Sequence, residues 1–387
     1  MQPTYLEKPI GSPEALAGVL GLSVTVLTDF AATASSKYTH FEIDKANGKK
    51  REISSPNHDL KIIQKRINRF VFGKVKYPEY LFGGIEGRDY VKNASIHANA
   101  KALITLDIKD FYPNIQAKHV FKIFKYFCKF PDSVATLLTD LTTLKGSVPQ
   151  GACTSSHIAN LVFYDTEHRI VREFSQKKLS YSRLLDDMCI SSTKVMSAST
   201  LKATIDSISA VLHGKNFKLK SSKTKISSAS NPEDLMEVTG LWLNRGHPRV
   251  RRAERIDIRS ELFRCEELFK ISRTSPEYHR EHDRLSGRVA KLSYLKHSES
   301  KPYRARLRKI LPHYDLGDRT KTLKLVNVIE RTSVGDRSKY SYIERFHQLM
   351  YRINILSRSD TGLAQALRIR MSLCQPTSTK EKITYGE

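Results

Sequence analysis

The sequence predicts an α+β fold, with short strands set among helices and a strongly basic, mostly helical region after them. Three observations carry this expectation. Short apolar runs end in carboxylates at Ala102–Asp107 and at Tyr181–Ser191, where two strands meet at Asp186-Asp187. Segments with helical spacing lie between the extended runs, as at Leu60, Ile63, Ile67 and Val71. From Arg249 onward the composition turns arginine-rich and helical.

The elements follow in chain order. Ser12-Pro13-Glu14 supplies an N-cap, a first-turn proline and an early acid, which opens a helix running to about Leu20. Ser23 to Phe30 reads as a second helix, so residues 1–30 form an N-terminal helical segment. Phe41–Ile43 and Arg51–Ser54 read as a hairpin with a turn at Asn47-Gly48, closed by Pro56. Leu60–Phe72 is helical, with Lys61, Lys65 and Arg69 on another face. Residues 118–130, Thr154 to about Arg172, and Leu201–Leu212 also read as helices, and Val238–Leu243 reads as a strand. Residues 246–371 form the basic helical region, with loops near residues 298–301 and Gly335-Asp336. Residues 372–387 read as a C-terminal tail, loose and polar from Gln375.

The chain has 387 residues, 40% of them hydrophobic, enough for a sizeable core in two or three subdomains. Its formal net charge is +25 and its pI about 9.8. An excess of that size favours a polyanionic partner, because Lys and Arg displace counterions from phosphates. Nucleic acid is preferred over a solvated basic surface or a membrane surface. No run reaches the roughly 18 apolar residues of a membrane span, and no signal peptide opens the chain. Five scattered cysteines with no Cys-x-x-Cys pair argue against a disulfide framework or zinc site and for the reducing cytoplasm.

The chemistry centres on Leu106-Asp107-Ile108 and Leu185-Asp186-Asp187-Met188. Aspartate is unfavourable within a strand, and a buried carboxylate is costly unless paired or metal-bound. Adjacent acids also repel one another. A divalent cation resolves both problems. Hard Mg²⁺ prefers carboxylate and phosphate oxygens, and two such ions about 3.5–4 Å apart can activate a hydroxyl and stabilise a leaving pyrophosphate. An exposed acid in one turn and an unrelated Asp-Asp hairpin is the plainer alternative.

The surrounding segments bear on that choice. Asp107-Ile-Lys-Asp-Phe-Tyr-Pro113, Pro149-Gln-Gly-Ala-Cys-Thr-Ser155, Arg183-Leu-Leu-Asp-Asp187 and Phe217–Lys225 occur in the order and spacing of the motifs of bacterial reverse transcriptases. Upstream, Lys50-Arg51-Glu-Ile53-x-x-Pro56 and Leu60-Lys61-x-x-Gln64 resemble the fingers segment. The resemblance spans about residues 40–245. Asn93-Ala94-Ser-Ile-His97 and Val238-Thr239-Gly240 resemble the two signatures of the retron type.

This resemblance implies a right-hand polymerase, with fingers and an antiparallel-sheet palm over residues 31–245 and a helical, RNA-binding thumb over residues 246–371. It places Asp107, Asp186 and Asp187 as ligands of two Mg²⁺ ions, with the Ile108 carbonyl completing one sphere. Lys109 and Asp110 would meet the triphosphate through their backbone amides. Arg51 would grip it bidentately, and Tyr112 would be the steric gate that selects deoxynucleotides. A solvated arginine and a core aromatic are the plain alternatives for those two. Gln150 and Gly151 would position nucleotide and template. Lys223 is a candidate proton donor to pyrophosphate, with a structural or phosphate-facing lysine as its alternative. Asn93 and His97, and Arg251, Arg252, Arg255 and Arg259, are candidate RNA contacts, although a lone histidine is as readily structural.

The implied partners are a structured noncoding RNA serving as template and primer, its DNA product, deoxynucleoside triphosphates and a separate effector protein in antiphage defence. No membrane partner is implied. Leu184 stands where the family has a tyrosine, Cys153 and Ser156 where prolines are common, and Lys220 where asparagine is frequent. Two rivals remain. One is another defence-associated reverse transcriptase, untemplated or protein-primed. The other is an RNA-binding scaffold whose polymerase site has decayed.

Overall fold

The computed structural model describes residues 1–44 and 48–386. Asn47, expected in the hairpin turn, lies outside the described residues. The chain divides into two compact units, Met1–Pro248 and Arg249–Glu387.

In the first unit, β1 (Thr4–Tyr5) precedes α1 (Pro13–Leu20) and α2 (Val24–Thr33). The Ser12 side chain caps α1 by accepting from the Ala15 amide, as its sequence predicts. No single described helix is long and apolar enough to cross a membrane. Together α1 and α2 would pass on length and composition, but they are bent by 91° and bury Leu16, Leu20 and Leu27 in the core.

The hairpin is β2 (Tyr38–Asp44) and β3 (Lys50–Pro56), in a register that opposes Ile43 and Arg51. Next come α3 (His58–Phe70), β4 (Val75–Lys76), which pairs with β1, and α4 (Tyr90–Ser95). Then follow β5 (Ala102–Asp107), α5 (Phe111–Asn114), α6 (Ala117–Lys122), α7 (Asp132–Thr142), α8 (Ser155–Leu161) and α9 (Glu167–Gln176). The unit closes with β6 (Leu179–Leu184), β7 (Asp187–Ser192), α10 (Ala198–His213), β8 (Lys225–Ser228), β9 (Glu237–Val238) and β10 (Leu241–Trp242).

The central sheet has the order β6-β7-β5-β8, antiparallel throughout. One face buries Ala102, Ile104, Leu106, Met188, Ile190 and Tyr181 in the helical core. Period-two alternation therefore leaves the other face to Asp107 and Asp187.

Three expectations for this unit need correction. Thr154–Arg172 is two helices, α8 and α9, with a break over residues 162–166. The helix expected over residues 118–130 widens into a π-type turn at Ile123–Phe127 and stops before Phe130. Val238–Leu243 is a tight hairpin, because Thr239 (φ 49°) and Gly240 (φ 80°) reverse the chain between β9 and β10.

The second unit is helical: α11 (Arg252–Ile271), α12 (Pro276–Tyr294), α13 (Ser300–Lys309), α14 (Leu316–Arg331), α15 (Tyr340–Leu356), α16 (Thr361–Ser372) and α17 (Lys380–Tyr385). The first three pack around Leu262, Tyr278, Leu285 and Val289. The next three pack around Val326, Phe346, Leu349 and Leu367. The expected loose tail is corrected by α17. Thr379 caps it, Thr384 is buried, and Lys380 pairs with Glu344 of α15 at 3.3 Å.

Candidate active site

Asp107 ends β5 and Asp187 begins β7, and the two are direct cross-strand partners. Antiparallel partners hold their Cα atoms about 4.5–5.5 Å apart, so two carboxylates from distant chain segments are within bridging reach of one ion. Leu184 of β6 faces Asp187 from the other side. Leu185, with φ 58°, makes the turn between the strands, and the Ile108 amide donates to the Asp186 carbonyl at 3.1 Å. The third acid is thereby fastened to the strand carrying the first.

Burial raises the pKa of Asp186, and the Asp107 carboxylate adds to the rise. Burial, then Asp186, then Asp107 push Asp187 up to about 6. The Lys223 ammonium donates to the Asp107 carboxylate, and that bond raises its own pKa. Among the described residues, no three acidic, histidine or cysteine side chains converge as a finished ligand set. The donors nevertheless fit a hard cation: three clustered carboxylates carry charge that Lys223 and Arg51 only partly offset.

One consequence is measurable without metal. A carboxyl whose folded pKa lies above its unfolded value stabilises the fold while protonated, and that stability is lost as pH rises through the folded value. In chelator, Asp187→Asn should therefore raise thermal stability at pH 7.5, by on the order of 2 kcal/mol, and have little effect below about pH 4. Equal melting shifts at both pH values would contradict this electrostatic account.

Tyr112 and Arg51 complete the neighbourhood. Burial and the Asp186 carboxylate push the Tyr112 hydroxyl up to about 12, with the Arg51 charge acting the other way. Phe111 is the core member of the aromatic pair, stacked on Phe163 with ring centroids 6.2 Å apart. The Gln150 carbonyl accepts from the Ser54 amide at 2.8 Å. Gly151 has φ +119°, and a β-carbon there would lie 2.7 Å from Ile53. The Gln-Gly loop thus rests on the hairpin that bears Arg51. Buried Gln64 ties the loop to α3 by accepting from the Cys153 amide at 3.2 Å.

Several expectations change here. The Lys109 amide donates to the Lys218 carbonyl at 2.9 Å, so it is not free for a triphosphate. Asp110, exposed with φ 47°, starts α5. Asn93 and His97 are 0% and 1% exposed, which removes them as RNA contacts on this surface. In the second unit, Arg252 and Arg259 are exposed, Arg251 is half-buried, and Arg255 lies 3.6 Å from Glu299. The arginine stripe is therefore only partly open, because Arg255 borders the packed edge of α11 beside Ile258.

The device that sequence reading passed over is Arg183. It is 0% exposed and spends every donor. Its guanidinium binds Glu167 bidentately at 2.5 and 2.8 Å. It also donates to the carbonyls of Ala159 and Asn160 at the end of α8, and to the carbonyl of Leu185 at 3.1 Å. Burial opposes its charge, but Glu167 holds it protonated. Tyr181 donates to the same carboxylate at 2.7 Å. The signal was present in the sequence: Arg183 stands in period-two register with apolar Tyr181, so it points inward and needs an acid. Gly83 belongs to the same support. A β-carbon there would lie 2.2 Å from the Leu185 side chain, and the Gly83 carbonyl accepts from Asn160 at 2.5 Å.

A family model described as "Reverse transcriptase (RNA-dependent DNA polymerase)" matches residues 43–256. The Retron Se72 reverse transcriptase of Salmonella heidelberg (strain 579083-10) is 34% identical over 97% of this chain and 99% of its own length. The Retron Ec48 reverse transcriptase of Escherichia coli is 30% identical over 91% of this chain and 89% of its own. The Retron Ec86 reverse transcriptase of Escherichia coli is 26% identical over 62% of this chain and 74% of its own. The chain belongs to the reverse transcriptase family, and its activity is RNA-directed DNA polymerisation. Within that family it is of the retron type, as its similarity along nearly the whole chain to retron enzymes shows.

Proposed function

We propose that this enzyme copies its own structured noncoding RNA into DNA, priming from a guanosine 2′-hydroxyl within that RNA and leaving a branched RNA–DNA hybrid. The observation that carries the reading is the facing register of Asp107 and Asp187 beside Asp186, in a chain similar along its length to retron enzymes. In this reading the four-stranded sheet is the palm, the β2–β3 hairpin belongs to the fingers, and the helical second unit is the thumb.

Asp107, Asp186 and Asp187 would hold two Mg²⁺ ions, which when bound activate the primer hydroxyl and neutralise charge on the leaving pyrophosphate. The protein's own groups do the rest. Arg51 meets the triphosphate from the hairpin, because a planar guanidinium matches phosphate oxygens bidentately. Gln150 and Gly151 shape the nucleotide floor. Lys223, protonated and exposed on one side, can supply a proton to pyrophosphate. Exposed Arg252 and Arg259 suit RNA phosphates. A role in antiphage defence in the cytoplasm, with a separate effector protein, follows from the same family reading.

Tyr112 stands beside Asp186 as the sugar gate. Tyr112→Ala should raise ribonucleotide incorporation relative to deoxynucleotide by about tenfold or more, in competition assays on a primed RNA template. Unchanged discrimination would leave Tyr112 a packing residue.

The branched product is tested by expressing the gene with its flanking noncoding DNA and sequencing the nucleic acid that copurifies. A DNA strand joined 2′–5′ to RNA is expected. Linear products alone, from an enzyme that still extends primed RNA, would overturn the retron-priming reading.

A further inference from the structure

The face of the central sheet that carries Asp107 and Asp187 is ordered in rows. The front row is Leu184, Asp187 and Asp107, from β6, β7 and β5 respectively. Behind it lie Ser182, Cys189 and Thr105, and behind those Ser180, Ser191 and Leu103. The His97 ring lies diagonally over the back rows. Its Nε2 is 2.8 Å from the Ser182 hydroxyl and its Nδ1 2.7 Å from the Ser191 hydroxyl. His97, Ser182 and Ser191 are 1%, 0% and 3% exposed. A neutral imidazole offers one donor and one acceptor, and a serine hydroxyl can play either part, so the ring satisfies both serines.

The tie matters because of where it sits. β6 is an edge strand of this sheet, and β7 bears the Asp186-Asp187 turn at its start. The helix α4, which ends two residues before His97, is itself fastened to the Val-Thr-Gly turn: Thr239 Oγ1 donates to the Tyr90 carbonyl at 3.1 Å. Thr239 and Gly240 in turn line a cavity of about 750 Å³ together with Asp107, Asp187, Cys189 and Lys223. Both signature segments therefore join one structure, which covers the catalytic sheet face and closes the wall of the cavity beside the carboxylates.

We infer that His97 is a positioning residue, locking β6 to β7 so that the front row holds its geometry, and that Thr239 anchors the same brace. This rests on the reading of Asp107, Asp186 and Asp187 as the reacting centre. On this account the two signatures that distinguish the retron type act by aligning carboxylates, and His97 does not read RNA bases. A displacement of about 1 Å at a reacting centre can cost about a hundredfold in rate, which sets the scale of the effect.

The test uses full-length protein, Mg²⁺, a primed RNA template and deoxynucleotides. Single-turnover rate, nucleotide KM, RNA affinity and melting temperature are measured for His97→Ala, His97→Gln and Leu138→Ala. Leu138 is fully buried in α7, so its truncation serves as a stability control. His97→Ala should slow the chemical step by about thirty- to a hundredfold, with RNA affinity and nucleotide KM within about twofold of wild type. His97→Gln keeps a donor and an acceptor and should recover most of the rate. Leu138→Ala should lower the melting temperature at least as far with little loss of rate. Weakened RNA affinity with an unchanged rate at saturating RNA would overturn the inference in favour of RNA reading. Equal rate losses in His97→Ala and Leu138→Ala would reduce the tie to general stability. An Asp186→Asn control separates the two levels: if that variant stays active, the reacting centre itself is misassigned.

Discussion

Asp186→Asn should abolish deoxynucleotide incorporation, by at least about a thousandfold, equivalent to roughly 4 kcal/mol of transition-state stabilisation. The substitution keeps the volume and removes the charge. Asp186 sits where the Ile108 amide pins its backbone, so the turn itself should survive. Burial and Asp107 already raise its pKa, so losing this charge relieves repulsion when metal is absent. The variant should therefore be as stable as wild type or more so in chelator, with RNA binding intact. Labelled-nucleotide incorporation and thermal melting on the same preparation check both halves. Activity within tenfold of wild type would favour a decayed site whose acids no longer do chemistry. The same measurement decides what Leu184 means. A leucine facing Asp187 leaves all three carboxylates in place, so a working site is expected.

Glu167→Gln should be the most destabilising single change near the site, costing about 3–5 kcal/mol. It strands the fully buried Arg183 guanidinium without its counter-charge, and Tyr181 loses a charged acceptor. A double replacement, Glu167→Leu with Arg183→Met, removes both charges and should recover much of that loss. It should not recover activity. Arg183 also donates to the carbonyls of Leu185, Ala159 and Asn160, so the double variant frees the turn that leads into Asp186 from the end of α8. Denaturant unfolding and nucleotide incorporation on wild type, Glu167→Gln and the double variant check both halves. If the double variant regains activity along with stability, Arg183 is only a structural charge and does not align the turn.

Much of this molecule was legible in its residues. Apolar runs ending in acids placed the carboxylates on strands, because alternation and burial cost are local properties. The Ser12 cap and the β2–β3 hairpin followed from capping and turn chemistry, and the start of the helical region from the composition shift at Arg249. Tyr112 could be read from the residues as a steric gate or a core aromatic, and the fold shows that its neighbour Phe111 fills the core. Tertiary structure decided what depends on partners distant in sequence. Only the β5–β7 register sets Asp107 opposite Asp187, eighty positions on. Glu167 meets Arg183, His97 meets Ser182 and Ser191, and Lys218 takes the Lys109 amide only after the chain has folded back. The sequence determined which groups would be costly to bury, and the fold alone determined which of them would bury one another.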